Sequence, residues 1–469
     1  MGAQAQKPAT TSPSLPADHW SYAVLRRLEN AGVLPPGFDI ARRDIPQEEV
    51  ALMLQRAAEA DTAAVRAQYI NRFREEFPLS SDSAPRVATT LTGFYQRQRG
   101  QLQAGIGYDT VWTGARVIED DESGDVTGRT SFSSKYLGAA LAVIHDEVNE
   151  LQVLVNAGVI GIWGGRREVG YATGYGGGVA LSHARLDGVG LFLNRPVRVS
   201  VIGALRFEMQ VSRIHNVLNL NNRQDSIEPY FWSARGTIQP HPRLRMSLTR
   251  GMMFGGERNL PITFSRLVNN LIGNYTENGE NSFANQLASI DLHYRLPTSG
   301  FPMAVYLEFG ADDAYGSFWR TPGTVGGFEI GPFASVDFSV GIERAAFARS
   351  SASRSLWYQN SWFREGWTDH GELLGHPLAG HGNEWRLFAT SGSALKGWEG
   401  AFSGYVRDRG SQNLLAPQRE GKSNGGTLEL DVRITRRAHV TLNGEVEQGS
   451  GDREWTTSKA RAALRWFVN

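Results

Sequence analysis

The chain has no cysteine among its 469 residues. That excludes thiol catalysis, cysteine-ligated metals and a disulfide framework, and it fits a protein that crosses an oxidising compartment before folding. Net charge is missing too. The 48 basic side chains balance 48 acidic ones, so no overall field draws the chain to nucleic acid or anionic lipid. No run of roughly 18 apolar residues occurs, which excludes a transmembrane helix; insertion into a bilayer would have to use strands. A fixed short repeat of the β-helix kind is also absent. Catalytic signatures are equally scarce. Ser182 lacks the G-x-S-x-G elbow of a serine hydrolase. Gly174-Tyr175-Gly176-Gly177-Gly178 is followed by no Lys-Ser/Thr pair, so it is no phosphate loop.

Glycine, by contrast, is abundant, with 53 residues against a usual share of ~7%. The 12 Trp and 14 Tyr are residue types favoured at membrane–water boundaries. The strongest signal is a two-residue alternation from about residue 87 to the end. Ile290, Leu292 and Tyr294 alternate with Asp291, His293 and Arg295; Leu428, Leu430 and Val432 alternate with Glu429, Asp431 and Arg433. Val305, Leu307 and Phe309 alternate with Tyr306, Glu308 and Gly310 in the same way. Successive side chains of a strand face opposite sides of a sheet. Many such two-sided strands predict a mainly β fold, a transmembrane antiparallel β-barrel of about 18 strands spanning residues 86–469. A soluble β-sandwich alternates as well, but the length of regular strands and the aromatic terminal strand Leu464-Arg465-Trp466-Phe467-Val468-Asn469 favour the barrel. The terminal strand resembles the assembly signal of outer-membrane barrels. Breaks are expected at 174–178, 219–222, 274–281 and 423–426. On the wall, Ile290, Leu292 and Tyr294 should face lipid. Lumen ion pairs, such as those of Asp291 and Arg295 with neighbours on the next strand, should fill the inside.

The start of the chain reads differently. Ala3-Gln4-Ala5-Gln6 has the form of a signal-peptidase site, so residues 1–16 are expected to be a signal-peptide remnant and a Pro/Ser/Thr linker. Residues 17–80 should form a small helical domain, in the periplasm or plugging the barrel lumen. Asp18 can cap a helix carrying Tyr22, Leu25 and Leu28, which Gly32 ends. Pro46 starts a second helix over 47–58, and Val65, Tyr69, Phe73 and Phe77 mark a third. Asp18-His19-Trp20-Ser21-Tyr22 with Gly32-Val33-Leu34 and the run from Glu49 to Leu54 resembles one S-layer homology repeat. Membership of that family would imply cell-wall contact through a Thr-Arg-x-Glu motif. Here Pro46-Gln47-Glu48-Glu49 stands in its place, without the Arg, and a structural helix pair is the better reading.

Three further stretches carry a second resemblance. They are Ala157-Gly158-Val159-Ile160-Gly161-Ile162-Trp163-Gly164-Gly165-Arg166, then Met253-Phe254-Gly255-Gly256-Glu257-Arg258, then Trp357-Tyr358-Gln359-Asn360-Ser361-Trp362 with Gly375-His376-Pro377-Leu378. In this order and spacing the chain resembles the Wzi-type capsule-assembly family over most of residues 150 to 390. Gly165 after Trp163-Gly164 departs from the family's tryptophan–glycine–proline form. The resemblance implies an outer-membrane barrel of a Gram-negative-type envelope. Its implied partners are capsular or exported polysaccharide and outer-membrane lipid, with no enzyme activity.

Aromatic faces cover the C–H faces of pyranose rings, while Arg binds hydroxyls or uronic carboxylates. Trp163, Arg166, Arg167, Trp357, Tyr358 and Trp362 are therefore the candidate polysaccharide contacts, with an interfacial girdle as the competing role for the aromatics. His370, His376 and His381 near Glu372 and Glu384 fit no zincin spacing, so no metal and no cofactor are expected. Glu308 with Asp312-Asp313 offers paired carboxylates, but Glu308 belongs to the polar lumen row, and no catalytic residue is assigned. Two functions remain, acting as a monomer: an anchor for surface polysaccharide, or a diffusion porin with a wall-tethering helical domain. A closed lumen would favour the first and an open bore the second.

Overall fold

The computed structural model of the chain describes residues 11–468 apart from 17, 61–63, 78–83, 101–110, 114–115, 119–120, 145–146, 183, 216–227, most of 257–283, 299, 313–321, 334–336, 349–356, 359–365, 370–371, 415–419 and 451–453. Among the described residues one antiparallel sheet of 18 strands closes on itself. This counts Ala184–Leu193 and Val197–Val199 as one interrupted strand, since both pair with Gly203–Arg213. The seam joins the first strand, Arg86–Gly100, to the last, Glu454–Val468, in the register Thr89↔Val468 through Gly100↔Thr457. Closure leaves no unpaired edge, which explains why an aromatic strand at the very end of the chain matters: it completes the wall.

The alternation sorts the side chains as expected. Along Ala284–Arg295, Ile290 points outward and is exposed, while Asp291, Ser289 and His293 are buried on the inner face. Leu307, Leu387, Leu428 and Trp466 are likewise exposed on the outer face, opposite Glu308, Arg386, Asp431 and Phe467 inside. The expected cross-strand pairing holds for Asp291, though its partner is two strands away, and Arg295 forms no ion pair among the described residues. Asp291 accepts from Arg235 at 2.7 Å, whereas Arg295 donates to the Pro242 carbonyl at 2.6 Å. Side chains four apart on one strand lie farther from each other than from the facing strands, so the partner comes from across the sheet. The break expected at 423–426 is also absent, because Gly421–Arg433 is one continuous strand. Gly425 sits where a Cβ would meet the Tyr405 ring at 2.6 Å, so the glycine marks a close approach inside a strand, not a turn. The breaks expected at 219–222 and 274–281 lie outside the described residues.

Connections at the end holding Arg86 and Val468 include short turns such as 158–159, 242–243 and 434–437; the longest connections, such as 170–183 and 348–379, lie at the opposite end. Three helices, α1 (Ser21–Ala31), α2 (Gln47–Ala60) and α3 (Ala64–Glu76), fill the lumen at the short-turn end. Trp20, Leu25, Leu28, Val50, Leu54 and Phe73 form their apolar core. Gly32, with φ of 75°, closes α1 in the left-handed conformation that glycine adopts without a steric cost. The expected Asp18 cap is not made; Trp20 occupies that position without a side-chain bond, and Asp18 pairs with Arg465 on the last strand instead. The S-layer-like position is turned inward. Gln47 is buried and Glu49 pairs with Arg206 of the wall at 2.8 Å, so neither is free to meet a wall polymer.

Charge complementarity fixes the helical domain to the wall. Arg27 binds Glu399 at 2.5 Å, Arg26 binds Glu329 at 2.8 Å, Asp44 binds Arg167 at 2.8 Å, and Arg42 binds Glu208 at 2.8 Å. Asp39 accepts from Arg235 at 2.7 Å, Arg245 at 2.6 Å and Thr237 at 2.7 Å. Burial would raise the Asp39 pKa, but the two guanidiniums hold it well below the usual carboxylate range. Burial likewise pushes Glu76 up, and His19, His439 and Arg72 bring it down to about 2.

Two outcomes follow from this architecture. Leu292→Lys places a charge on the lipid face, and near the bilayer midplane this should cost roughly 2–4 kcal/mol; the heat-modifiable folded band on a gel should shrink accordingly. Asp39→Ala leaves two buried arginines without their shared carboxylate and should weaken helical docking by about 3–5 kcal/mol, read as new protease cleavage within residues 17–80. Docking should also depend on pH with a definite sign. Both carboxylates titrate lower when folded than in the unfolded chain, where they lie near ~4. Their stabilisation is therefore complete above that value and lost as pH falls, through about 2 for Glu76. Protease protection should stay level from neutral pH to about 5 and fail only in stronger acid.

Candidate functional site: the closed lumen

The long connections at the other end do not all project outward. Residues 170–182 and, among the described residues, 357–358, 366–369 and 372–379 fold into the barrel, where Val179, Leu181, Trp357, Tyr358, Trp367, Leu374 and Leu378 pack with Val325 and Phe347 of the wall. Such a buried loop must satisfy its own backbone groups. Tyr358 Oη donates to the Val179 carbonyl at 2.6 Å, Trp367 Nε1 donates to Ala180 at 2.8 Å, and Ser182 N donates to Leu374 at 2.7 Å. Glu343, on the wall, accepts from the backbone N–H groups of Tyr175 and Gly176 at 2.6 and 2.8 Å. Tyr358 itself has φ of 62°, an uncommon conformation for a bulky residue. It is held from both sides, since its N–H donates to Asp312 at 2.6 Å and its hydroxyl receives the His376 N–H at 3.0 Å.

The loops and the helical domain meet inside. Ala172 N donates to the Ala41 carbonyl at 2.8 Å, and Arg43 N donates to Gly170 at 3.0 Å. Arg26 lies 5.0 Å from the Tyr306 ring and 5.4 Å from Phe388, and Tyr175 stacks on Phe388 at 4.4 Å. The lumen is thus packed from the helices through to the inward loops. A crevice of about 260 Å³ is left against the wall, lined by Arg129, Glu150, Glu168, Arg185 and Arg461.

The candidate sugar contacts are distributed differently from expectation. Trp163 is 2% exposed on the inner face of Ile160–Val169, packed with Leu154 and Phe192. Arg167 lies over its ring at 3.7 Å and reaches Asp44 of the helical domain, so this pair is an anchor for the plug. Gly190 makes room for that indole, since a Cβ there would meet Trp163 Nε1 at 2.4 Å. Trp357 and Tyr358, 1% and 0% exposed, belong to the core of the inward loops. None of these four can offer a face to an external polymer, because the residues with sugar-binding chemistry are the same ones that pack and bridge an amphipathic interior. Arg166 alone is partly exposed, 3.6 Å from Asp187. Trp362 lies outside the described residues.

Among the described residues, one group of potential metal ligands comes together: Glu343, His376 and Glu384. Their surroundings do not suit a cation. Glu384 already binds Arg386 at 2.9 Å and Arg407. His376 Nδ1 accepts from the Leu378 N–H at 3.1 Å, which leaves the imidazole proton on Nε2 and neither ring nitrogen open to a cation. Burial lowers its pKa to about 3 and keeps it neutral. Of the other histidine-rich residues read from the sequence, His370 and the Glu372 side chain lie outside the described residues.

What sequence reasoning missed is an outer-face aromatic, Trp385, half exposed on Gly380–Ser393. Its signal was available in the alternation Asn383-x-Trp385-x-Leu387, which assigns it to the outer row.

Comparison with curated proteins finds no match. Among solved structures, Wzi of Escherichia coli, described as an outer-membrane protein involved in group 1 capsule assembly and a carbohydrate-binding β-barrel, superposes with a TM-score of 0.72. It is 16% identical, covering 97% of this chain and 99% of that one. OpdQ and OccK5 (OpdH) of Pseudomonas aeruginosa each give a TM-score of 0.49 at 11% identity, covering 82% of this chain and 98% of theirs. The sequence model of the family described as capsule assembly protein Wzi matches residues 158–462, well over half of the chain and the larger part of the barrel wall, and this protein belongs to the Wzi capsule-assembly family.

Proposed function

We propose that this protein holds capsular or exported polysaccharide at the cell surface, as an outer-membrane anchor that neither conducts solutes nor cleaves its polymer. The observation that carries this reading is the doubly filled lumen. Helices bound by ion pairs occupy one end and apolar loops occupy the other, and among the described residues such an interior leaves no bore for a diffusion porin. The carbohydrate binding described for E. coli Wzi supports the same conclusion. The short turns, both ends of the wall and the helical domain share one end of the barrel, which supports a periplasmic position for it and an outward position for the long connections. One chain closes its own wall and fills its own lumen, so a monomer suffices.

Deleting the gene should release polysaccharide into the medium while total synthesis stays unchanged. The purified protein should leave polymer length unaltered and give no steady conductance in a planar bilayer. A deletion strain that keeps its surface polymer but loses uptake of small solutes would establish the porin reading instead, and shortened polymer would establish a hydrolase.

A further inference from the structure

The polymer needs a place to bind, and the buried aromatics cannot supply it. The outer face of the wall can. Asp337–Phe347, Gly380–Ser393, Trp398–Asn413, Gly421–Arg433 and Ala438–Ser450 are consecutive strands. Toward the long-loop end their outward residues turn from apolar to polar. Leu387, Phe402, Leu428 and Val446 are exposed apolar residues; beyond them come Trp385, Asp408, Asn424 and Gln448. The pairing sets Trp385 beside Val406, Val406 beside Asn424 and Asn424 beside Gln448. These residues, with Asn383 and Lys422, line a concavity of about 560 Å³, a size within the range of small-ligand sites.

We propose that this concavity is a pyranose-binding subsite for the surface polysaccharide, with Trp385 as its platform; the proposal rests on the polymer-holding reading above. Trp385 is 50% exposed. Arg344, its cross-strand neighbour, lies 5.4 Å from the indole and donates to Asn383 Oδ1 at 3.3 Å. A ring fixed from one side by a guanidinium presents its other face at little entropic cost, and sugar C–H groups stack on such a face. Asn424 and Gln448 each offer a donor and an acceptor for vicinal hydroxyls. Asp408 and Lys422 face each other across two strands yet form no ion pair among the described residues, so both stay available to hydroxyls.

Two other roles fit less well. An aromatic that only marks the lipid boundary has no need of a carboxylate, an ammonium and two amides around it. A phosphorylated lipid headgroup would gain from Arg344 and Lys422 but would be opposed by Asp408 and Glu454, leaving no net positive charge to attract it. A hydroxyl-rich neutral or weakly acidic sugar uses both signs.

The test measures binding of surface polysaccharide, extracted from the strain that expresses the protein, to the full chain purified in detergent. Trp385→Ala and the double variant Asn424→Ala/Gln448→Ala should each lower affinity on the order of tenfold. Trp385→Phe should recover part of it, and Trp466→Ala, an exposed aromatic near the short-turn end, should bind as the unaltered protein does. Heat-modifiable mobility checks that every variant is folded. If Trp385→Ala binds normally while the unaltered protein binds polymer, the subsite is overturned and the anchoring function stands. If the unaltered protein binds no polymer, both fall. If Trp385→Ala loses binding to vesicles carrying phosphorylated lipid headgroups but keeps polymer, the concavity is a lipid site and the proposal is overturned.

Discussion

The match of charge between a small helical domain and the inside of a closed wall is the constraint on which the remaining structure depends. An 18-stranded barrel is wide enough to enclose water, and at the end that holds the helices its inner row is polar and charged. Here that polar row is written in complementary sign. Arg235 and Arg245 face Asp39, Glu399 and Asp337 face Arg27, and Arg167 faces Asp44. Buried pairs of this kind roughly break even against apolar packing, so they contribute little net stability. They contribute register: each pair is satisfied in one seating of the helices, and a shifted seating would strand several buried charges at once.

The second closure uses the opposite chemistry. The loop residues Leu181, Trp357, Tyr358, Trp367, Leu374 and Leu378 bring their side chains into the lumen at the long-loop end, where they form an apolar core like that of a soluble domain. Polar backbone in that core is satisfied by Tyr358, Trp367 and Glu343. Because the Ala172–Ala41 and Arg43–Gly170 bonds link this core to the helical domain, the two closures are one continuous filling. Loosening either would expose apolar surface to the other's water.

In the proposed reading, a filled barrel acts through its surface. Interior residues with the chemistry of a sugar site, Trp163 and Arg167 above all, are spent on holding the plug. The wall region around Trp385 has unengaged polar side chains, a half-exposed indole and access from outside. On that proposal the closed interior and the polar outer face divide the labour, the lumen giving rigidity and the rim giving contact.

Alternation along Ala284–Arg295 and Gly421–Arg433, the aromatic last strand and the caps and breaks around Gly32 and Pro46 were all legible in the sequence, because a strand's two faces and a helix's end are local properties of a few consecutive residues. Sequence alone therefore determined the barrel, its approximate strand number, the lipid-facing row and the three helices. It did not determine partners. Asp291 pairs with Arg235 two strands away, Arg295 donates to the Pro242 carbonyl and not to an acid, Asp18 binds Arg465 447 positions away instead of capping its neighbour, and Gly425 serves a close approach to Tyr405. Nor could a motif rich in Trp, Tyr and Arg declare whether its side chains face polymer or plug, since those residue types suit both. Only tertiary structure decided that Trp163, Arg167, Trp357 and Tyr358 turn inward and Trp385 outward, because burial depends on which distant segments fill the lumen, and no local spacing encodes it.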